Sequence, residues 1–296
     1  IFTVASRPPE GLGLVCDGRF SSGKPGMSFS LADFGLFSAL AYESPVGMPT
    51  VLEHYFPGWW VSHEQVVGNG NVTQDWTTFF EFTDRENTTS IIAIRGTNSI
   101  LDVLSDINIW LTAALLQGFT YVGPWMTSGV SSVVYFWSDF VRGGEDPAAH
   151  FHSLLEHVQK RIDKGGRRLY ITGHSLGGGL AKLVAAHAKI QAVTFAAPGV
   201  QMTSNSMPRD PQESREPLAS RALTVRPTND LVSQIDTQVG DVVRTKCDGG
   251  PLTCHKIYAG SICPILKRCG SMRGPEQALV LPCAECPSFC APPSAP

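Results

Sequence analysis

Arg168-Leu-Tyr-Ile-Thr172 runs straight into Gly173-His174-Ser175-Leu176-Gly177-Gly178, and Leu180, Leu183, Val184 and His187 follow at helical spacing. Read in order, this is an apolar strand, a glycine-framed turn and a helix. A serine hydroxyl is a poor nucleophile unless its oxygen is held exposed beside a base. A tight strand-to-helix turn forces that exposure. It also crowds the backbone so closely that only small residues fit two positions either side of the serine, here Gly173 and Gly177. The helix start aims backbone N–H groups at any negative charge developing there. Ser175 is therefore the candidate nucleophile. The motif alone is a weak signal, since a glycine-rich turn can hold a chance serine. The strand before it and the helix after it carry the reading.

Working outward, Ser30 to Tyr42 has apolar residues at helical spacing and closes at Ser44-Pro45. Gly58–Val67 and Thr77–Thr83 read as strands separated by the turn-rich Gly68–Asn71. Ser90–Arg95 is a continuous apolar run of the kind found in a doubly covered strand, and Gly96-Thr97 ends it. Ala148–Lys164 is helical and stops at Gly165-Gly166. Gln191–Ala197 and Arg221–Arg226 are further strands, with a polar surface loop over Thr203–Ser220 between them. Strands alternating with helices predict an α/β fold, a mostly parallel central sheet with helices on both faces. Residues 1–27 read as an irregular lead-in, 28–270 as the catalytic domain, and 271–296 as a Cys- and Pro-rich tail without periodicity.

The 296 residues are 43% hydrophobic and 17% charged, enough for one large core. A net charge of −3 without any long Lys/Arg run argues against a nucleic-acid partner. The longest nearly apolar stretch, Ile107–Phe119, is too short to span a bilayer and carries Asn108, Thr112 and Gln117. Ile1–Val4 is not a full signal peptide, so the chain reads as processed or excerpted, with its targeting signal out of view. Of eight cysteines, seven lie between Cys247 and Cys290, with Cys16 apart. Sequons at Asn71 and Asn87 accompany them. The even count and the sequons predict disulfides, N-glycosylation and a secreted or luminal, oxidising compartment. A zinc site built on Cys283-x-x-Cys286 is the rival, disfavoured because no second close pair stands at matching spacing.

A serine nucleophile needs a histidine, and the histidine wants a carboxylate. In enzymes that place serine on such a turn, the acid and then the histidine follow it in the chain. Only His187 and His255 follow Ser175. His187 is twelve residues on, about 18 Å up the same helix, and cannot reach back. That leaves His255. His174 is expected to point away from the serine in a packing or hydrogen-bonding role. Asp230 is the best-placed acid, just beyond the carboxyl end of strand Arg221–Arg226, where active sites of open α/β sheets form. Asp236, Asp241 and Asp248 compete with it. The oxyanion needs two donors, one being the Leu176 N–H. Thr97, after the strongest early strand, is the candidate for the other, although Gly96-Thr97 could equally just end that strand and cap a helix.

Together these segments resemble the class 3 lipases, the fungal-lipase-like family of α/β-hydrolases. Ile94-Arg-Gly-Thr-Asn-Ser-Ile100 with Asp106, Ile171–Gly178, Thr194-Phe-Ala-Ala-Pro198 and Asn229-Asp230-Leu-Val232 stand in family order. The resemblance implies the α/β-hydrolase fold, a Ser175, Asp230, His255 triad and an oxyanion hole at Thr97 and Leu176. It implies an amphipathic lid after Thr97, here Ile100, Leu101, Val103, Leu104 and Ile107, which meets lipid at a membrane or droplet surface when open. An ordinary core-facing helix would carry the same pattern. Three departures stand out: Ser233 replaces the usual proline, Val103 replaces a tryptophan common in fungal lids, and the Cys-rich end is not general to the family. The expected chemistry is hydrolysis of lipid esters through an acyl-enzyme, with no metal or organic cofactor required. Phospholipid, feruloyl-type ester and acyl-transfer variants use the same machinery, and a catalytically silent binding protein with a Cys-rich interaction tail is the alternative of another class.

Overall fold

The computed structural model describes residues 20–21, 28–66, 77–96, 152–201, 203, 221–269 and 286. Its centre is a seven-stranded sheet in which β3 (Trp60–Gln65), β4 (Phe79–Thr83), β5 (Thr89–Ile94), β6 (Arg168–His174), β7 (Gln191–Phe195), β8 (Ala222–Pro227) and β9 (Asp241–Thr245) lie side by side in chain order. β3, β4 and β5 are antiparallel, and β5 through β9 are parallel. A separate two-residue ladder pairs β1 (Phe20–Ser21) with β2 (Ser28–Phe29). This is the mostly parallel α/β-hydrolase sheet expected from the sequence; β3, β4 and β7 are shorter than read, β5 and β8 are shifted by one residue, and β6 runs two residues further, to His174. β3 is the most trimmed, and a register shift at Val61/His63 interrupts it.

The period-2 geometry of the strands splits their side chains between two cores. Ile91, Ala93, Tyr170, Val193 and Phe195 face α1 (Leu31–Leu40) and α2 (Met48–Tyr55). Ile92, Ile94, Ile171 and Ala192 face α3 (His152–Lys164) and α4 (Leu176–Ala188). Helix α1 is apolar all round and all ten of its residues are buried, as such a helix must be. Ser30 starts it with a reciprocal capping box: its Oγ accepts from Asp33 N–H and its N–H donates to the Asp33 carboxylate. Phe37 then stacks on Phe56, ring centroids 3.9 Å apart, locking α1 to the end of α2.

Helix α3 is held to the sheet by charge as well as by Leu154 and Val158. Glu81, wholly buried on β4, accepts from His157 Nε2 (2.7 Å) and Arg161 Nε (2.7 Å), with Arg167 Nη1 at 3.4 Å. Burial alone would raise the Glu81 carboxyl, but the bonds from His157, Ser90 and Arg161 outweigh it and bring it down to about 2.

Sequence reading foresees neither β9 nor the elements after it. α5 (Pro251–His255) is five residues long, a π-helix spans Ile257–Ile262, and α6 is Cys263–Cys269. Pieces this short carry no readable period. Cys247 is bonded to Cys254 and Cys263 to Cys286. The second bond fastens Cys286 to the start of α6. It also commits the Cys286 sulfur, which removes Cys283-x-x-Cys286 as half of a zinc site. Among the described residues no helix is long and apolar enough to cross a membrane, and no cluster of three His, Cys, Asp or Glu has metal-binding geometry.

Candidate active site

Ser175 sits between β6 and α4 with φ 58° and ψ −134°, a backbone conformation few non-glycine residues adopt. Its surroundings hold it there. Ser175 N–H donates to Phe195 O at 3.0 Å. A Cβ on Gly173 would lie 2.5 Å from Gly177 O, and one on Gly177 would lie 2.5 Å from Ile94 O. The two glycines thus let strand, turn and helix close around the serine, for the reason read from the motif. Leu176 is the first residue of α4, where the backbone N–H has no acceptor within its own helix.

His255 ends α5 and turns its ring to the serine: Nε2 lies 2.8 Å from Ser175 Oγ. Its Nδ1 lies 2.8 Å from Asp230 Oδ1. A carboxylate only accepts, so Nδ1 carries the ring proton and Nε2 offers its lone pair to the serine hydroxyl. Asp230 follows β8 and is wholly buried. Its Oδ1 also accepts from Val232 N–H (3.0 Å) and its Oδ2 from Ser233 N–H (3.2 Å), so the turn itself orients the carboxylate. The rival carboxylates lie elsewhere. Asp236 accepts from the backbone and hydroxyl of Thr203, Asp241 opens β9 at the surface, and Asp248 pairs with Lys246 in solvent. His187 is exposed in the last turn of α4.

His174 is buried. Its Nε2 lies 2.7 Å from the backbone oxygen of His255 and its Nδ1 lies 2.9 Å from Tyr42 Oη. Burial, aided by the nearby His255, pushes this imidazole down to about 3, against the pull of its backbone bond, so it is neutral in the working range.

The class 3 lipase family model matches residues 91–239, half the chain, from β5 through the loop that follows the candidate acid. The chain belongs to the class 3 lipase family. Family membership supports lipase-type hydrolysis of lipid esters. No curated protein matches the chain in sequence. Among solved structures it is similar to a lipase of Yarrowia lipolytica (17% identity, TM-score 0.36, 74% of this chain and 77% of that one). It is also similar to a triacylglycerol lipase of Penicillium expansum (15%, 0.40, 75% and 82%) and a lipase of Rhizopus microsporus var. chinensis (14%, 0.40, 75% and 74%).

In this class 3 lipase the serine at 233, where a proline was expected, gains a meaning. Proline has no N–H, so it could not make the Ser233 bond to Asp230 Oδ2, and Ser233 Oγ adds a bond to Asp230 O. Thr97, the lid positions Ile100, Leu101, Val103, Leu104 and Ile107, and the sequon Asn71 lie outside the described residues. Asn87 is exposed at the β4–β5 turn, and its side-chain oxygen accepts from Arg167 Nη2 at 2.9 Å.

Two polar neighbours of the site escape sequence reading. Tyr42 is one. Lys182 is the other, a wholly buried amine on α4 that donates to Pro198 O (2.6 Å), Gln238 Oε1 (2.8 Å) and Thr224 Oγ1 (3.3 Å). Gln238 in turn donates to Ser233 O, next to the Asp230 turn. A lone lysine in the apolar Leu180–Ala186 run was the available signal for it.

Proposed function

We propose that this class 3 lipase hydrolyses lipid esters, triacylglycerols among them, through Ser175, His255 and Asp230. The observation that carries the reading is the unbroken pair of 2.8 Å hydrogen bonds from Ser175 Oγ through the His255 ring to Asp230. His255 Nε2 takes the hydroxyl proton as Ser175 Oγ attacks the ester carbonyl carbon. The oxyanion accepts from Leu176 N–H and Thr97. His255 then protonates the departing alcohol, leaving an acyl-serine. Water, deprotonated by the same nitrogen, attacks that ester, releases the fatty acid and restores the serine. None of these steps calls for a metal or organic cofactor.

Ile100, Leu101, Val103, Leu104 and Ile107 form the lid in this reading, meeting a membrane or lipid-droplet surface when it opens. The disulfides and the sequons at Asn71 and Asn87 support a secreted or luminal glycoprotein. Residues 1–27 and 271–296 flank the catalytic domain of 28–270.

The test is hydrolysis of an emulsified long-chain triglyceride and of a soluble short-chain ester, by wild type and by Ser175→Ala. We expect activity on the emulsion that falls about 10⁴-fold or more in the variant. Activity confined to the soluble ester would reassign the protein as an esterase. A folded protein silent on both, and unlabelled by a fluorophosphonate, would leave a binding role in place of catalysis.

A further inference from the structure

We propose that Tyr42 and His174 are positioning residues that fix the backbone of the general base relative to Gly96 at the end of β5. The proposal rests on the triad reading above and adds to it a second route by which His255 is held. Asp230 orients the ring of His255. Nothing in that contact fixes the main chain from which the ring hangs, and α5 is only five residues long. The Cys247–Cys254 bond tethers the residue before His255, and His174 anchors the His255 backbone itself. A carbonyl oxygen can only accept, so His174 Nε2 carries the proton and donates to His255 O at 2.7 Å. Its Nδ1 therefore holds a lone pair, and the Tyr42 hydroxyl donates to it at 2.9 Å. Tyr42 Oη in turn accepts the backbone N–H of Gly96 at 3.0 Å.

Every donor and acceptor in this chain of three bonds has one role, so the imidazole tautomer is set from both sides. The geometry leaves no slack. A Cβ on Gly96 would lie 2.6 Å from Tyr42 Oη, 2.6 Å from His174 O and 3.0 Å from Ser175 Cβ. The end of β5 thus lies against the elbow, and one relay spans from it, through the residue preceding the nucleophile, to the base. Burial keeps His174 neutral in the working range, so protonation does not break the tether there. Displacing a reacting group by about 1 Å can cost on the order of 10²-fold in rate, which is the scale of loss expected when such a tether is cut.

The relay acts on the transition state and not on substrate binding, so its loss should lower kcat and leave KM alone. The test measures both on the best ester substrate for wild type, Tyr42→Phe, His174→Phe, His174→Gln and Ser175→Ala. Folded sites are counted by exhaustive fluorophosphonate labelling. Tyr42→Phe should lose about 10-fold in kcat per labelled site and His174→Phe about 100-fold, each with KM within about twofold. His174→Gln places an amide N–H near the lost Nε2–H and should recover about 10-fold of that loss. Should His174→Phe fail to fold, Tyr42→Phe and His174→Gln carry the same comparison. Unchanged kcat per labelled site in Tyr42→Phe overturns the proposal, as does a loss confined to the number of labelled sites. A wild type that neither hydrolyses esters nor labels at Ser175 overturns the triad reading first and this one with it.

Discussion

Two aspartates six positions apart, Asp230 and Asp236, look interchangeable as text, and the difference between them lies in which donors each one meets. Asp230 receives Val232 and Ser233 N–H and faces His255, while Asp236 spends its oxygens on Thr203 and Thr237. Asp230→Asn should keep the fold and lower kcat about 10³- to 10⁴-fold, since an amide at that place favours the wrong imidazole tautomer. Asp236→Asn should leave kcat within about twofold and lower stability by about 1 kcal/mol. Ester kinetics and thermal melts of both variants check the pair, and equal kinetic losses would unseat Asp230. Ser175 was legible because its motif lay between a recognisable strand and helix. His255 was legible because only one other histidine follows the serine. The acid remained one of four, because a sequence shows neighbours along the chain and not the N–H groups that a turn gathers. Tyr42 was hidden by the 132 positions separating it from His174.

At the scale of elements, the proposed base, His255, stands on α5, which is too short to be stable alone. The Cys247–Cys254 bond joins the end of β9 to the residue before His255, closing a separation of seven. A loop of that size contributes about 2.5 kcal/mol by restricting the unfolded chain. Replacing both cysteines by alanine should therefore cost about that much stability and lower kcat about 10-fold, because α5 gains freedom beside the serine. Full reduction of the wild type should do the same. Kinetics with and without dithiothreitol read the effect, and unchanged activity would mean that α5 is held by packing and hydrogen bonds alone. Strong period and flanking glycines made β5, α3, β6 and α4 readable. The five-residue α5, the π-helix and the charged strand β9 offered neither, and their form depends on disulfides and on contacts with distant strands.

The molecule as a whole carries a buried charge site with a predictable pH signature. Burial lowers the Lys182 amine from 10.5 to about 7, against a smaller opposing pull from Asp236. Between those values the unfolded lysine binds a proton that the folded one lacks, so stability rises with pH across the window. The rise is bounded at about 1.4 kcal/mol per pH unit, hence up to about 5 kcal/mol in total. Lys182→Met should abolish it, so the unfolding free energy of wild type should rise relative to that of the variant as pH increases. Urea unfolding at the two ends of the window measures this, and a constant gap would show that the amine stays charged when folded. The sheet holds one more consequence. Its seven strands lie in the order in which they are made. During synthesis each strand from β4 onward can dock on one already present, with no gap left for a later strand to fill. Ser175 leaves the ribosome first, Asp230 later and His255 last. On the proposed triad, a nascent chain folds most of its sheet before its general base emerges, so products truncated before residue 255 are expected to be inert.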